Sequence, residues 1–191
     1  MLHDLIISRV RVKILHLFFS TPTTIYHVRE IVRRTDEEIN AVRRELSHLE
    51  KAGIMTKEQR ANRLFYALRK DYPLYYDLME LIVKTHGMGG DIIKNRSKLG
   101  KIKFAMISGK FARNLPRSAN DVDLLLVGKV VLPEVNQIVR AEELRREREI
   151  NYTVMSEEEF EFRKRRRDPF AIEIMKGSRV MIIGDEEELT K

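Results

Sequence analysis

The sequence predicts an α+β protein of two domains: three helices with a β-hairpin in front, then a small α/β domain built on a mixed sheet. Three observations lead there. Between positions 7 and 49 apolar residues recur at steps of three and four in three separate stretches, and through positions 63–68 they alternate. Glycines then cluster at 87, 89 and 90, where the chain changes character. Beyond position 100, short apolar runs alternate with charged stretches of helical period, the order of strands and helices packed in layers. The chain has 191 residues, 43% of them hydrophobic and 34% charged, which suffices for two small cores.

Taken in order, Ile7, Val10, Ile14, Leu17 and Phe18 predict a first helix with one buried stripe. Ser20-Thr21-Pro22-Thr23-Thr24 interrupts it, and its hydroxyls can cap the next helix. Val28, Ile31 and Val32 mark that short second helix. Thr35 and Glu38 have the spacing of a capping box, which places a third helix over Ile39, Val42, Leu46 and Leu49, ended by Gly53. A polar turn between 57 and 62, leading into Arg63-Leu64-Phe65-Tyr66-Ala67-Leu68, reads as a hairpin. If the apolar positions of the third helix face inward, Asn40, Arg43, Arg44, Ser47 and Lys51 face solvent. Arg and Asn are the side chains best suited to paired hydrogen bonds with guanine and adenine edges. Lys57, Arg60 and Arg63 on the hairpin suit phosphates, which position a protein without specifying sequence. The plainer alternative is a solvated basic helix in a module that binds protein.

These elements, and above all Leu-Ser-His-Leu-Glu-Lys-Ala-Gly-Ile-Met with Arg-Leu-Phe-Tyr-Ala-Leu after it, resemble the winged helix-turn-helix domain of arsenic-repressor-type transcription factors. The resemblance covers about residues 5–70. It implies that the third helix enters the major groove of double-stranded DNA while the wing touches the flanking backbone. Charge points the same way: residues 1–70 hold 14 Lys and Arg against 8 Asp and Glu, whereas the rest of the chain is close to neutral. A connector over residues 71–100 comes next. Tyr72-Pro73 opens it, Leu74, Leu78, Leu81 and Ile82 have helical spacing with Tyr75, Tyr76 and Met79 beside them, and Ile92, Ile93 and Leu99 continue the pattern. Its apolar face predicts either a seal between domains or a homodimer, with the homodimer favoured because repressors resembling this one pair through a helix placed here.

The third segment, residues 101–191, opens with an apolar strand over 102–107. Ser108-Gly109-Lys110-Phe111-Ala112-Arg113-Asn114 makes a glycine turn into a helix, and Asn120-Asp121-Val122-Asp123-Leu124-Leu125-Leu126-Val127-Gly128 opens a strand with Asp-x-Asp. Side chains two apart on a strand point the same way, so Asp121 and Asp123 form a carboxylate pair able to hold Mg²⁺ through oxygen. A glycine turn at a helix start favours a triphosphate. Residues 148–154 alternate as a further strand, with Asn151 and Glu149 on one face. A helix over 133–144, a second helix opened by Ser156 and closed by Arg163-Lys164-Arg165-Arg166-Arg167, a strand over 179–183 and a charged end over 185–188 complete the domain.

Gly109, Phe111-Ala112-Arg113, Asp121 and Asp123 make residues 100–185 resemble the minimal nucleotidyltransferases of the DNA polymerase beta superfamily. That resemblance implies Mg²⁺ on Asp121 and Asp123, and a nucleoside triphosphate held by Ser108, Gly109, Lys110 and Arg113. It is incomplete. Lys110 stands where the family has a phosphate-contacting serine, Asn114 where it has a second glycine, and Asn151 where active members carry Asp or Glu, with Glu149 as the substitute. A two-metal site that stabilises attacking and leaving oxygens needs its full negative charge. The expected function is therefore a DNA-binding transcriptional regulator whose second domain has lost catalysis and senses a nucleotide or assembles with a protein partner. The alternative is an active Mg-dependent nucleotidyltransferase modifying a protein, antitoxin-like, or a small molecule.

Composition excludes other classes. Cysteine is absent, so disulfides, thiolate zinc sites and cysteine nucleophiles are out, and the chain fits a reducing cytoplasm. No apolar run reaches the length of a membrane span, and the charged N-terminal stretch does not read as a signal peptide. His3, His16, His27, His48 and His86 are dispersed, and there is no Gly-x-x-x-x-Gly-Lys loop or His-Glu-x-x-His.

Overall fold

Ser8, in extended backbone, accepts the amide hydrogen of Arg11 on its hydroxyl and so starts helix α1 at Arg9–Ser20. A computed structural model describes residues 6–116, 118 and 121–191; His3 and Asn120 of the sequence motifs lie outside the described residues. Because α1 begins at Arg9, Ile7 falls ahead of it and is 99% exposed. The buried stripe is Val12, Ile14, Leu15, Phe18 and Phe19, rotated from the expected one, with Val10 and Leu17 only half-buried. Thr21 closes this helix instead of capping the next, since its hydroxyl bonds the Leu17 carbonyl at 3.0 Å and the Tyr26 hydroxyl at 2.8 Å.

His27 caps α2 (Val28–Thr35): its Nδ1 accepts from the Glu30 amide. The expected capping box is replaced by a simpler device. Thr35 belongs to α2 and bonds the Ile31 carbonyl at 2.7 Å, while the Glu38 carboxylate itself accepts the amides of Asn40 and Ala41 at 2.8 and 2.9 Å and opens α3 (Ile39–Lys51). Helix α3 buries Val42, Leu46 and Leu49, and Gly53 ends it at a φ of 77°, in the left-handed region that favours glycine. A three-stranded antiparallel sheet completes this part, in the order β1 (Tyr26–His27), β3 (Arg63–Leu68), β2 (Met55–Arg60). Strands β2 and β3 form the expected hairpin, whose last register pair is Arg60 opposite Arg63. The two-residue β1 carries no sequence periodicity and is found only through its pairing.

The chain separates into two compact units, Met1–Ile82 and Val83–Lys191. The break falls inside α4 (Tyr75–Thr85), within the stretch 71–100. Tyr75, Met79 and Ile82 are the buried side of α4, and Leu78 and Leu81 are half-buried. Tyr75 lies with its ring centroid 5.6 Å from that of Phe19. The glycines at 87, 89 and 90 mark the step from α4 to α5 (Gly87–Lys94): Gly87 opens α5 at a φ of 63°, and Gly89 and Gly90 lie within it.

In the second unit a four-stranded mixed sheet runs in the order β6 (Tyr152–Met155), β5 (Leu124–Val130), β4 (Gly100–Ser108), β7 (Arg179–Ile183), with β5 and β6 parallel and the other pairs antiparallel. Leu124, Leu125, Leu126 and Val127 are all fully buried, as a central strand covered on both faces requires. Phe104, Met106, Leu125, Val127, Met155, Phe160 and Ile174 form one core cluster. Around the sheet lie α6 (Gly109–Ala112), α7 (Leu132–Arg146), α8 (Glu157–Arg165), α9 (Pro169–Lys176) and α10 (Glu186–Thr190). Ser156 caps α8 by accepting the Glu159 amide, as the sequence indicates. The strand expected over 148–154 starts only at Tyr152: ahead of it Arg148 and Asn151 bond Asp123 and Asp121, and the Ile150 amide donates to Glu143. In all, the described residues form a mixed α+β structure of ten helices and two sheets, and no helix among them is long and apolar enough to cross a membrane.

Candidate functional site

Two surfaces concentrate chemistry, one in each unit. In the first, the outward side of α3 carries Asn40, Arg43, Arg44 and Lys51, all exposed, with Ser47 half-buried between them. The opposite side is fixed. Val42 and Leu46 are 0% exposed, and buried Glu45 receives the Arg11 guanidinium and the Ser8 hydroxyl, each at 2.8 Å. Burial pushes the Glu45 carboxyl up, but these two hydrogen bonds and the Arg11 charge outweigh it and hold it below the usual carboxylate range. Glu45 therefore pins α3 to α1 and sets which side faces out. No sequence signal marks it, since a glutamate among arginines reads as solvated. At the hairpin, Lys57, Arg60 and Arg63 are all exposed, but two of them are already engaged. Arg60 makes a two-pronged bond to Glu58 and lies over the Phe65 ring, and Lys57 is 3.5 Å from Glu50.

In the second unit a cavity of about 620 Å³ lies beside the glycine turn. Ser108, Lys110, Arg113 and Asp121 line it, so four of the expected site residues meet there. Their donors and acceptors are largely committed to one another. The Ser108 hydroxyl accepts the Phe111 amide at 3.1 Å, and the Gly109 amide donates to the Ser178 carbonyl at 2.7 Å. A Cβ at Gly109 would lie 2.1 Å from the Ser178 hydroxyl, so glycine is required by close approach of another loop. Lys110 donates to both oxygens of Asp121 at 2.9 and 2.8 Å, and Arg113 donates to the Gly109 carbonyl and the Ser178 hydroxyl. The Lys110 hydrogen bond, seconded by the Ser118 amide, holds the Asp121 carboxyl below its ordinary range.

Asp123 is elsewhere. It is 0% exposed, its Oδ1 accepts from the Arg148 guanidinium and its Oδ2 from the Asn151 amide, each at 3.0 Å. Asn151 also donates its side-chain amide to the Asp121 carbonyl at 2.8 Å. It therefore ties two loops together by hydrogen bonding and takes no place in the cavity; Glu149 is exposed and does not line it. The reason is topological: Asp121 and Asp123 precede β5, which starts at Leu124, so the alternation of a strand does not govern them. Each carboxylate meets a cation from a different element. Among the described residues no three His, Asp or Glu side chains gather as a metal-holding group, and both Asp123 oxygens are taken, so the arrangement does not fit the expected Mg²⁺ pair.

The other wall of the cavity lies outside the sequence motifs. Helix α9 supplies Pro169, Phe170, Glu173 and Lys176 to it, with Gly177 and Ser178 beyond its end. Its start is written in the sequence: Asp168 accepts the amides of Phe170 and Ala171, with Pro169 in the first turn. The chain matches no protein-family model, and comparison with curated proteins and with solved structures finds no match.

Proposed function

We propose that the protein is a DNA-binding regulator of winged helix-turn-helix type, with α3 as the reading helix and the β2–β3 hairpin as the wing. One observation carries this reading: Asn40, Arg43, Arg44 and Lys51 stand together on the exposed side of a helix whose other side is locked by Val42, Leu46 and the Glu45–Arg11 pair. A side chain on a rigid, pre-oriented helix can meet a base edge without a further cost of ordering the backbone. Of the wing cations, Arg63 is best placed for phosphate, because Arg60 and Lys57 already face Glu58 and Glu50. Two such helices in a homodimer would read a two-fold-symmetric site.

We read the second unit as a nucleotidyltransferase arrangement without the chemistry, since the Asp123 carboxylate is engaged by Arg148 and Asn151. Mg²⁺ and a nucleoside triphosphate belong to the catalytic alternative. Mg²⁺-dependent nucleotide transfer that stops in Asp123→Asn would install that alternative.

The test is fluorescence anisotropy of the full chain on duplexes selected from a random pool at low salt. Arg43→Ala with Arg44→Ala is expected to weaken binding by about tenfold or more, and Asp121→Ala to leave it unchanged. Absence of duplex binding at low salt would overturn the reading.

A further inference from the structure

The cavity beside the glycine turn is poorly matched to a polyphosphate and well matched to something smaller. Its charged lining is Lys110, Arg113 and Lys176 against Asp121 and Glu173, a surplus of one positive charge. A triphosphate brings three or more negative charges, and the free backbone amides of a helix start are what would favour them here. Here the Gly109 amide already bonds the Ser178 carbonyl, and Arg113 already bonds the Ser178 hydroxyl.

The remaining wall is apolar. Met106 and Val122 face the cavity from the sheet side, and Phe170, Ile172 and Ile174 from α9. Phe170 supplies an aromatic face, and a volume of about 620 Å³ falls in the range of small-molecule sites.

We infer that this cavity binds a small organic monoanion: one carboxylate on an aromatic or branched apolar body. The carboxylate lands at Lys110, whose side chain is 51% exposed. An ammonium has three donors, so Lys110 can keep Asp121 and hold a ligand carboxylate at once. The apolar body lies against Phe170 and the isoleucines of α9, where leaving water favours it. The inference rests on the second unit being non-catalytic and is independent of DNA binding, so it is measured without DNA.

The experiment is calorimetric titration of the full chain with naphthylacetate, its neutral amide naphthylacetamide, and ATP with Mg²⁺. Naphthylacetate is expected to bind, and the amide to bind about tenfold more weakly or worse, because it loses the charge-assisted hydrogen bond. Lys110→Met is expected to erase the preference for acid over amide. Naphthylacetate should also shift the Phe170 ring signals in NMR spectra. Equal binding of acid and amide, or no binding of either, overturns the inference and leaves the non-catalytic reading standing. Tight binding of ATP with Mg²⁺ in preference to the acid overturns both. The acid–amide comparison on the unmodified chain needs no variant to fold.

Discussion

The Asp123 carboxylate shows how a single residue can change role without changing type. In an open strand edge it would be a metal ligand; fully buried and facing Arg148, it is one half of an internal ion pair. Breaking such a pair from one side leaves an unsatisfied buried charge. Arg148→Met is therefore expected to destabilise the second unit by about 3 kcal/mol, read as a fall in urea midpoint. Asp123→Asn keeps one acceptor oxygen where Asp123 uses two, so its amide nitrogen would face either the Arg148 guanidinium or the Asn151 amide, and it too is expected to lower the urea midpoint. Lys110 offers a second residue-scale check. It is the largest cause of the lowered Asp121 pKa, so Lys110→Met should bring that titration back up, as a carbon NMR titration of the Asp side chains would show. With the pKa depressed in the folded state, the contribution to stability is present above the unfolded value and is lost as pH falls through the folded one. In Lys110→Met that acid-side loss shrinks.

Helix ends govern the next scale up. Glu38 holds the start of α3 by accepting the Asn40 and Ala41 amides, which are the first two causes of its lowered pKa. Its sign is that of Asp121: the cap is complete above the ordinary carboxylate range and fails as pH drops through the lowered value. Protection of the Asn40 and Ala41 amides, taken as observed exchange relative to the intrinsic rate at the same pH, should therefore fall in acid, and Glu38→Gln, which keeps an acceptor but cannot be protonated there, should flatten the dependence. At the end of α7, Glu147 sits at a φ of 52° while its amide bonds the Glu143 carbonyl. A non-glycine residue there is strained. Glu147→Gly is expected to stabilise the protein by roughly 0.5–1 kcal/mol, with the urea midpoint rising and the slope unchanged.

For the whole molecule the telling quantity is where charge lies. The formal net charge is +7, and residues 1–70 carry nearly all of it. A polyanion partner met by that region releases counterions on binding, so affinity for duplex DNA should fall steeply with salt. Removing Arg43 and Arg44 together should lower the slope of log K against log salt by close to 2 if both touch phosphate, and by less if they read bases. The slope thus separates positioning from reading.

Local order was legible because it depends on near neighbours. Helical spacing at Val42, Leu46 and Leu49, the left-handed stop at Gly53, the Ser156 cap and the hairpin through Phe65 and Tyr66 all arise from residues a few positions apart, and the chain by itself determined them. The first helix shows the limit: its period was visible, but its buried side was set by where Ser8 starts it. The site depended on contacts between distant positions. Asp123 meets Arg148, Lys110 meets Asp121, Gly109 meets Ser178, and α9 closes the cavity with Phe170. Spacing along a chain says which side chains are alike, and only tertiary packing decides which of them keep their charge for a partner and which turn it on one another.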